Sequence, residues 1–146
     1  MKPYITNSKA SFNYETLDTF EAGLVLLGAE VKSLRKGHAT ISESFIAIDD
    51  GELYLVKAYI APYQLKNQVG YDAYRRRKIL ISKKEFRMLE QRKHEAGLTL
   101  IPLSIYDKRG FLKLQFALAR GKKKHDKRND IKDRDAKREI GRLMKS

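Results

Sequence analysis

Residues 98–119, LTLIPLSIYDKRGFLKLQFALA, decide the fold. Leu98 to Tyr106 reads as one strand, Asp107-Lys108-Arg109-Gly110 as a turn, and Phe111 to Ala119 as the returning strand. In the second strand Leu112, Leu114, Phe116 and Leu118 alternate with Lys113 and Gln115. A period of two places the apolar side chains on one face, so the pair reads as an antiparallel hairpin with one face buried and the other wet. Upstream, Ser82 and Glu85 form a capping box that opens a charged helix carrying Phe86 and Leu89 and closing near Gly97. Arg77 to Ile81 is a further strand. Ser44 to Ile48 and Leu53 to Tyr59 are extended, joined through Asp49-Asp50-Gly51, where Asp50 and Gly51 tolerate the positive φ of a tight hairpin.

Toward the N-terminus, Phe12 to Leu17 alternates as a short strand. Asp18 can cap a helix with Glu21 as its capping-box partner, and Leu24, Leu27, Val31 and Leu34 recur at helical spacing until Gly37. The pattern therefore predicts an amphipathic helix from Asp18 to Gly37. Pro62 suits a loop and Pro102 a bulge or an edge position, because each removes a ladder donor. Five or six short strands arriving as hairpins, with two or three helices, fit a mainly β fold: a small, closed or nearly closed antiparallel barrel rather than a parallel sheet.

Charge divides the chain. Residues 120–146 hold 12 Lys/Arg against 5 Asp/Glu, with Ile131, Ala136, Ile140, Leu143 and Met144 as their only apolar side chains. The first 119 residues carry a milder excess, 19 basic against 13 acidic groups. One domain over 1–119 and a basic tail over 120–146 are expected, because the tail has too little apolar surface for a core. With a pI of about 9.9, the first partner to consider is nucleic acid, since clustered Lys and Arg gain from releasing counterions condensed on a phosphate polymer.

The chain has no cysteine, which excludes disulfides, thiolate metal sites and cysteine nucleophiles, and suits a reducing compartment. His38, His94 and His125 show no metal-ligand spacing, and there is no phosphate-cradling glycine loop or nucleophile elbow. No enzyme, cofactor or metal is expected. The opening MKPYITNSKASFNYE has no segment of signal-peptide or membrane-span length, so a soluble, cytoplasmic protein, acting as a monomer and without membrane contact, is expected.

Several blocks, in order, resemble the SmpB (small protein B) family. They are Thr19 to Gly23, Gly28 to Gly37, Pro62-Tyr63 with Asn67, Arg75 to Leu80, Gly97 to Leu103, and Ala119 to Arg128. Lys66, Ala73 and Ser8 depart from the family pattern. The resemblance implies an oligonucleotide-binding-like (OB-like) six-stranded antiparallel barrel with peripheral helices. It also implies an adaptor that binds the tRNA-like part of tmRNA, stands in for its missing anticodon arm, and delivers it to stalled ribosomes in trans-translation. By motif match, Asn7, Lys9, Tyr14, Glu30, Lys32, Ser33 and Arg35 are expected to contact tmRNA, with Arg75, Arg77, Lys122, Lys123 and Lys124 as backbone clamps. A general RNA-binding or ribosome-associated OB-fold module is the alternative.

Within that assignment Glu30 is the anomaly, since an acid repels phosphate. It either accepts from a base amino group or a 2′-hydroxyl, or holds Lys32 or Arg35 in position, or is an ordinary solvent-facing helix residue. Strand alternation sends Arg75 and Arg77 one way and Arg76 and Lys78 the other. Tyr14 and Tyr63 suit either stacking on bases or the edge of the core. In the tail, Gly121 to Arg128, including His125, Asp126 and Lys127, reads as an extended ribbon. From Asn129 onward, Ile131, Lys132, Arg134, Arg138, Ile140, Leu143 and Met144 belong to a segment expected to be disordered when free and to fold as a helix against ribosomal RNA at the decoding centre and empty mRNA channel. The apolar face of that segment is too short and too poor in Trp, Phe and Leu for a membrane surface.

Overall fold

A computed structural model describes residues 3–64, 69–95 and 97–122. The deciding stretch forms the long hairpin that its alternation predicts: strands Leu98–Lys108 (β8) and Phe111–Gly121 (β9), joined through Arg109 and Gly110, both at positive φ. Before it come β1 (Ile5–Thr6), α1 (Ala10–Asn13), β2 (Tyr14–Leu24), α2 (Gly28–Arg35), β3 (Ala39–Thr40), β4 (Phe45–Asp49), β5 (Glu52–Val56), β6 (Tyr59–Ile60), β7 (Arg77–Leu80) and α3 (Lys83–Lys93). The main sheet is antiparallel with seven strands in the order β1-β8-β9-β2-β7-β5-β4, and β3 pairs with β6 separately. The β4–β5 hairpin turns at Asp50 and Gly51, whose φ values of 50° and 75° are the pair its sequence calls for. Ser82 caps α3 by accepting from the Glu85 amide at 3.2 Å.

Two expectations are corrected. Asp18 to Leu24 is strand, not the start of a helix. β2 runs between β9 and β7, Phe20 stacks on Phe116 at 5.4 Å between centroids, and the ladder to β9 is interrupted only by a bulge at Thr16/Asp18. Pairing with β9 along the segment, and with β7 at Gly23 and Leu24, thus overrides local helix signals. The helix is confined to Gly28–Arg35, and Gly37 ends the turn at φ 76°. The sheet, second, has seven strands rather than six and does not close by hydrogen bonding among the described residues. It curls until Cα atoms of β4 come within 8 Å of those of β8. The outer edge of β8 is already engaged there: β1 covers Ser104 and Ile105, and Pro102 has no N–H to offer.

The core lies inside the curl, with Leu34, Ile41, Leu53, Leu55, Ile60, Leu89, Leu100, Ile105, Leu114, Phe116 and Leu118 fully buried. The outer face of β9 is wet only toward its start. Ala117 and Ala119 are buried on that side with Ala10 and Ile101, and Tyr14 packs against them. No described helix is long and apolar enough to cross a membrane.

Candidate RNA interface

Glu30 enters from the first turn of α2, where Oε1 accepts from the Leu27 amide at 2.9 Å and so satisfies one of the helix's open donors. Its carboxylate is 1% exposed. Arg77, the first residue of β7, is 0% exposed and donates to Glu30 Oε2 through Nε at 2.9 Å and Nη2 at 2.5 Å. Arg77 also donates from Nη1 to the Ala58 carbonyl (2.6 Å), and its Nη2 lies 3.0 Å from both the Ala73 carbonyl and the Tyr71 hydroxyl. Arg75, partly exposed, closes on the other side, with Nε donating to Oε2 at 3.1 Å and Nη2 to Oε1. The Tyr71 hydroxyl lies 3.0 Å from both Glu30 Oε2 and the Ile60 carbonyl, and its single proton serves one of them. Burial pushes the Glu30 carboxyl up, yet the hydrogen bonds from Arg75, the Leu27 amide and Arg77 outweigh it and hold the group below its ordinary value. Burial and the adjacent carboxylate push Tyr71 up. One acid with two guanidiniums leaves a net positive centre that ties α2, the β5–β6 connection and the approach to β7 together.

The opposite, solvent-facing side of α2 is basic. Lys32 and Lys36 stand over the Tyr63 ring with Nζ at 5.2 and 4.9 Å from its centroid. Arg35 reaches the β8–β9 turn, donating to the Gly110 carbonyl at 3.1 Å and pairing with Asp107 at 3.3 Å. Ser33 is buried, its hydroxyl donating to the Ala61 carbonyl at 2.7 Å.

A second group gathers around α1. Asn7 donates from Nδ2 to the Pro102 carbonyl at 2.8 Å and accepts from the Lys9 amide at 3.1 Å. Lys9 pairs with Glu43 at the surface. Lys122 hydrogen-bonds α1 twice, through its backbone to Asn13 at 2.9 Å and its ammonium to the Ser11 carbonyl at 2.7 Å. A cleft of about 290 Å³ opens between this group and the start of β4, with Tyr14 and Phe45 among its walls. The two groups are continuous along one edge: the Tyr4 carbonyl lies beside Gly37 at the end of α2, and Ser8 meets Ser42 at 3.4 Å.

The structure therefore gathers the sequence-identified residues into two neighbouring clusters, but not all of them at the surface. Lys32, Arg35 and Lys9 are exposed, and Asn7, Tyr14, Arg75 and Lys122 partly so. Glu30, Ser33 and Arg77 are buried and have no surface to offer a partner. Glu30 does hold cations in place, but these are Arg75 and Arg77, not Lys32 or Arg35, because its side chain turns into the fold. The alternation of the Arg75 to Lys78 run is as read: Arg76 pairs with Asp49 at 2.6 Å and Lys78 with Glu52 at 2.8 Å, away from Glu30. Lys123, Lys124 and the tail residues from His125 through Met144 lie outside the described residues, as does Asn67. Sequence reasoning missed Tyr71 and Lys36. Nothing in the pattern around Tyr71 marks it, whereas Lys36 lies one turn beyond Lys32 and was legible as its neighbour.

The model of the SmpB protein family matches residues 4–146. An SsrA-binding protein of Chelativorans sp. (strain BNC1) is 51% identical over 140 residues, spanning 95% of this chain and 90% of that one. Its counterpart from Persephonella marina is 45% identical over 145 residues, spanning 99% and 95%. Among solved structures, one described as "tmRNA-SmpB: a journey to the center of the bacterial ribosome" contains a chain 47% identical, with a TM-score of 0.68 over 82% of this chain and 85% of that chain. With a basic helix face beside the Arg75–Glu30–Arg77 cluster, and with a family match along nearly its whole length, the chain belongs to the SmpB family.

Proposed function

We propose that this protein is a tmRNA-binding adaptor of trans-translation: it binds the tRNA-like domain of tmRNA through the body, replaces the missing anticodon arm, and carries the RNA to stalled ribosomes. It acts by binding, not by catalysis, in the cytoplasm. The observation that carries the reading is the family match over residues 4–146, with SsrA-binding relatives about half identical along almost the entire chain. The geometry supports it. Lys32, Lys36 and Arg35 present charge on one helix face, spaced for a phosphate backbone, and an A-form helix offers mainly phosphates and 2′-hydroxyls to such a face. Asn7, Lys9, Tyr14 and Lys122 extend that surface, and Glu30, Ser33, Arg75 and Arg77 position it. The curled sheet, with β9 running on through Gly121, serves as an OB-like barrel, and the basic segment beyond Lys122 as a tail that reads the empty mRNA channel and decoding centre.

Gel-shift titration with the isolated tRNA-like domain, in excess unstructured homopolymer, tests the first half. Binding that survives the competitor supports a shape reader; binding lost to it points to a general single-strand module. Tagging of a nascent chain on a message without a stop codon, in an extract depleted of its own adaptor and supplied with this protein, tests the second half.

A further inference from the structure

Phe111 is 71% exposed, the most exposed aromatic ring among the described residues. Scattered apolar side chains at a surface are ordinary, but the setting of this one is not. It opens β9 directly after a two-residue turn in which Arg109 and Gly110 sit at φ 54° and 85°. The turn is braced twice. Asp107 accepts from the Gly110 amide at 2.8 Å, and Arg35 donates to the Gly110 carbonyl from α2. Lys108 stands directly across the ladder from Phe111, Lys113 lies two residues on along the same face, and Arg109 occupies the turn; of these, the Lys108 ammonium is held by Glu21 at 2.9 Å. Arg109 and Lys113 form no ion pair among the described residues. A rigid ring among cations matches a nucleotide, whose base supplies a π-face and whose flanking phosphates meet the charges. Continuity decides whose nucleotide: Arg35 joins this tip to the basic face of α2.

We propose that Phe111 is a stacking platform for an unpaired base of the same tRNA-like RNA that lies along α2, with Arg109 and Lys113 holding the neighbouring phosphates. The inference rests on the function proposed above. Because the chain has no tryptophan, Phe111→Trp places a single tryptophan at the site, excitable at wavelengths its tyrosines do not absorb. Titrating that variant with the tRNA-like domain of tmRNA should quench its emission with the midpoint seen by gel shift, at an affinity close to wild type. Phe111→Ala should weaken binding about tenfold, and Phe111→Leu should not restore it, since a base stacks on a ring and not on an aliphatic chain. All three variants should melt within about 2 °C of wild type, as expected for an exposed position. Wild-type affinity in the Ala or Leu variant, unquenched emission despite binding, or a loss confined to ribosome association overturns the proposal. If the wild-type protein itself fails to bind the RNA, the proposed function falls and takes this inference with it. Wild-type binding with an indifferent Phe111 overturns this inference alone.

Discussion

Replacing Glu30 by Gln separates two explanations of why an acid sits in a basic RNA-binding protein. The substitution keeps the side-chain volume and removes the charge. Arg75 is partly exposed and can turn to water, but Arg77 is fully buried and cannot. Its guanidinium then faces an amide whose own N–H₂ competes with it, so the protein keeps a buried cation without its counter-charge. Removing one partner of a buried pair costs about 3–5 kcal/mol. At about 3–5 °C per kcal/mol for a domain of this size, the melting temperature should fall by roughly 10–25 °C, measured by circular dichroism. Adding Arg77→Met should recover most of the loss, because the unpaired charge leaves with it. The pH dependence has a defined sign. A carboxyl held below its ordinary 4.5 in the folded state stabilises fully above that value, and the contribution is lost as pH falls through the depressed one. The gap between wild type and Glu30→Gln should therefore narrow in acid. If the variant melts within 2 °C of wild type yet loses RNA affinity, Glu30 touches RNA directly and the positioning argument is wrong.

Tyr106 donates to Glu21, and its burial together with that carboxylate pushes the phenol up to about 12. The stability it contributes is full below the ordinary tyrosine value of 10 and lost as pH rises toward 12; carbon-13 NMR of labelled tyrosines should show the late titration, and Glu21→Gln should bring the midpoint down without reaching 10, since burial is the larger cause. Changing Lys32 and Lys36 together to Gln should weaken tmRNA binding and lower the salt slope of log K by about 2, one per lost phosphate contact, as gel shifts between low and moderate salt would show. Removing residues 123–146 should leave tmRNA affinity within about tenfold while abolishing tagging on stalled ribosomes.

What was legible in the sequence follows from how local its cause is. Asp50-Gly51 and Arg109-Gly110 announce their hairpins because a two-residue turn needs positive φ at both positions, and Ser82 with Glu85 announces α3 because the cap lies within one turn. Asp18 and Glu21 carried the same capping signature and misled, because β9 claims that segment from far along the chain, with β7 joining at its end. Closure of the barrel was beyond reach for the same reason: it depends on whether a two-residue strand and Pro102 already occupy the edge of β8. Lys32, Arg35 and Lys9 are exposed, as a surface role requires. The inward turn of Glu30 was not legible, since its partners Tyr71, Arg75 and Arg77 lie more than 40 positions away.

The two longest ladders of the sheet converge on β9, which pairs with β8 on one edge and β2 on the other. Because β9 also supplies Leu114, Phe116 and Leu118 to the core, a ribosome making this protein must release nearly all of the described chain before β2 finds its neighbour. A message broken upstream of the Phe111 codon leaves β2 and β8 with bare edges around an open interior, a ready substrate for proteases. The proposed rescuer of ribosomes on damaged messages thus has a synthesis of its own that tolerates almost no damage: its truncated products are not weakened versions of the protein but chains with no fold to keep.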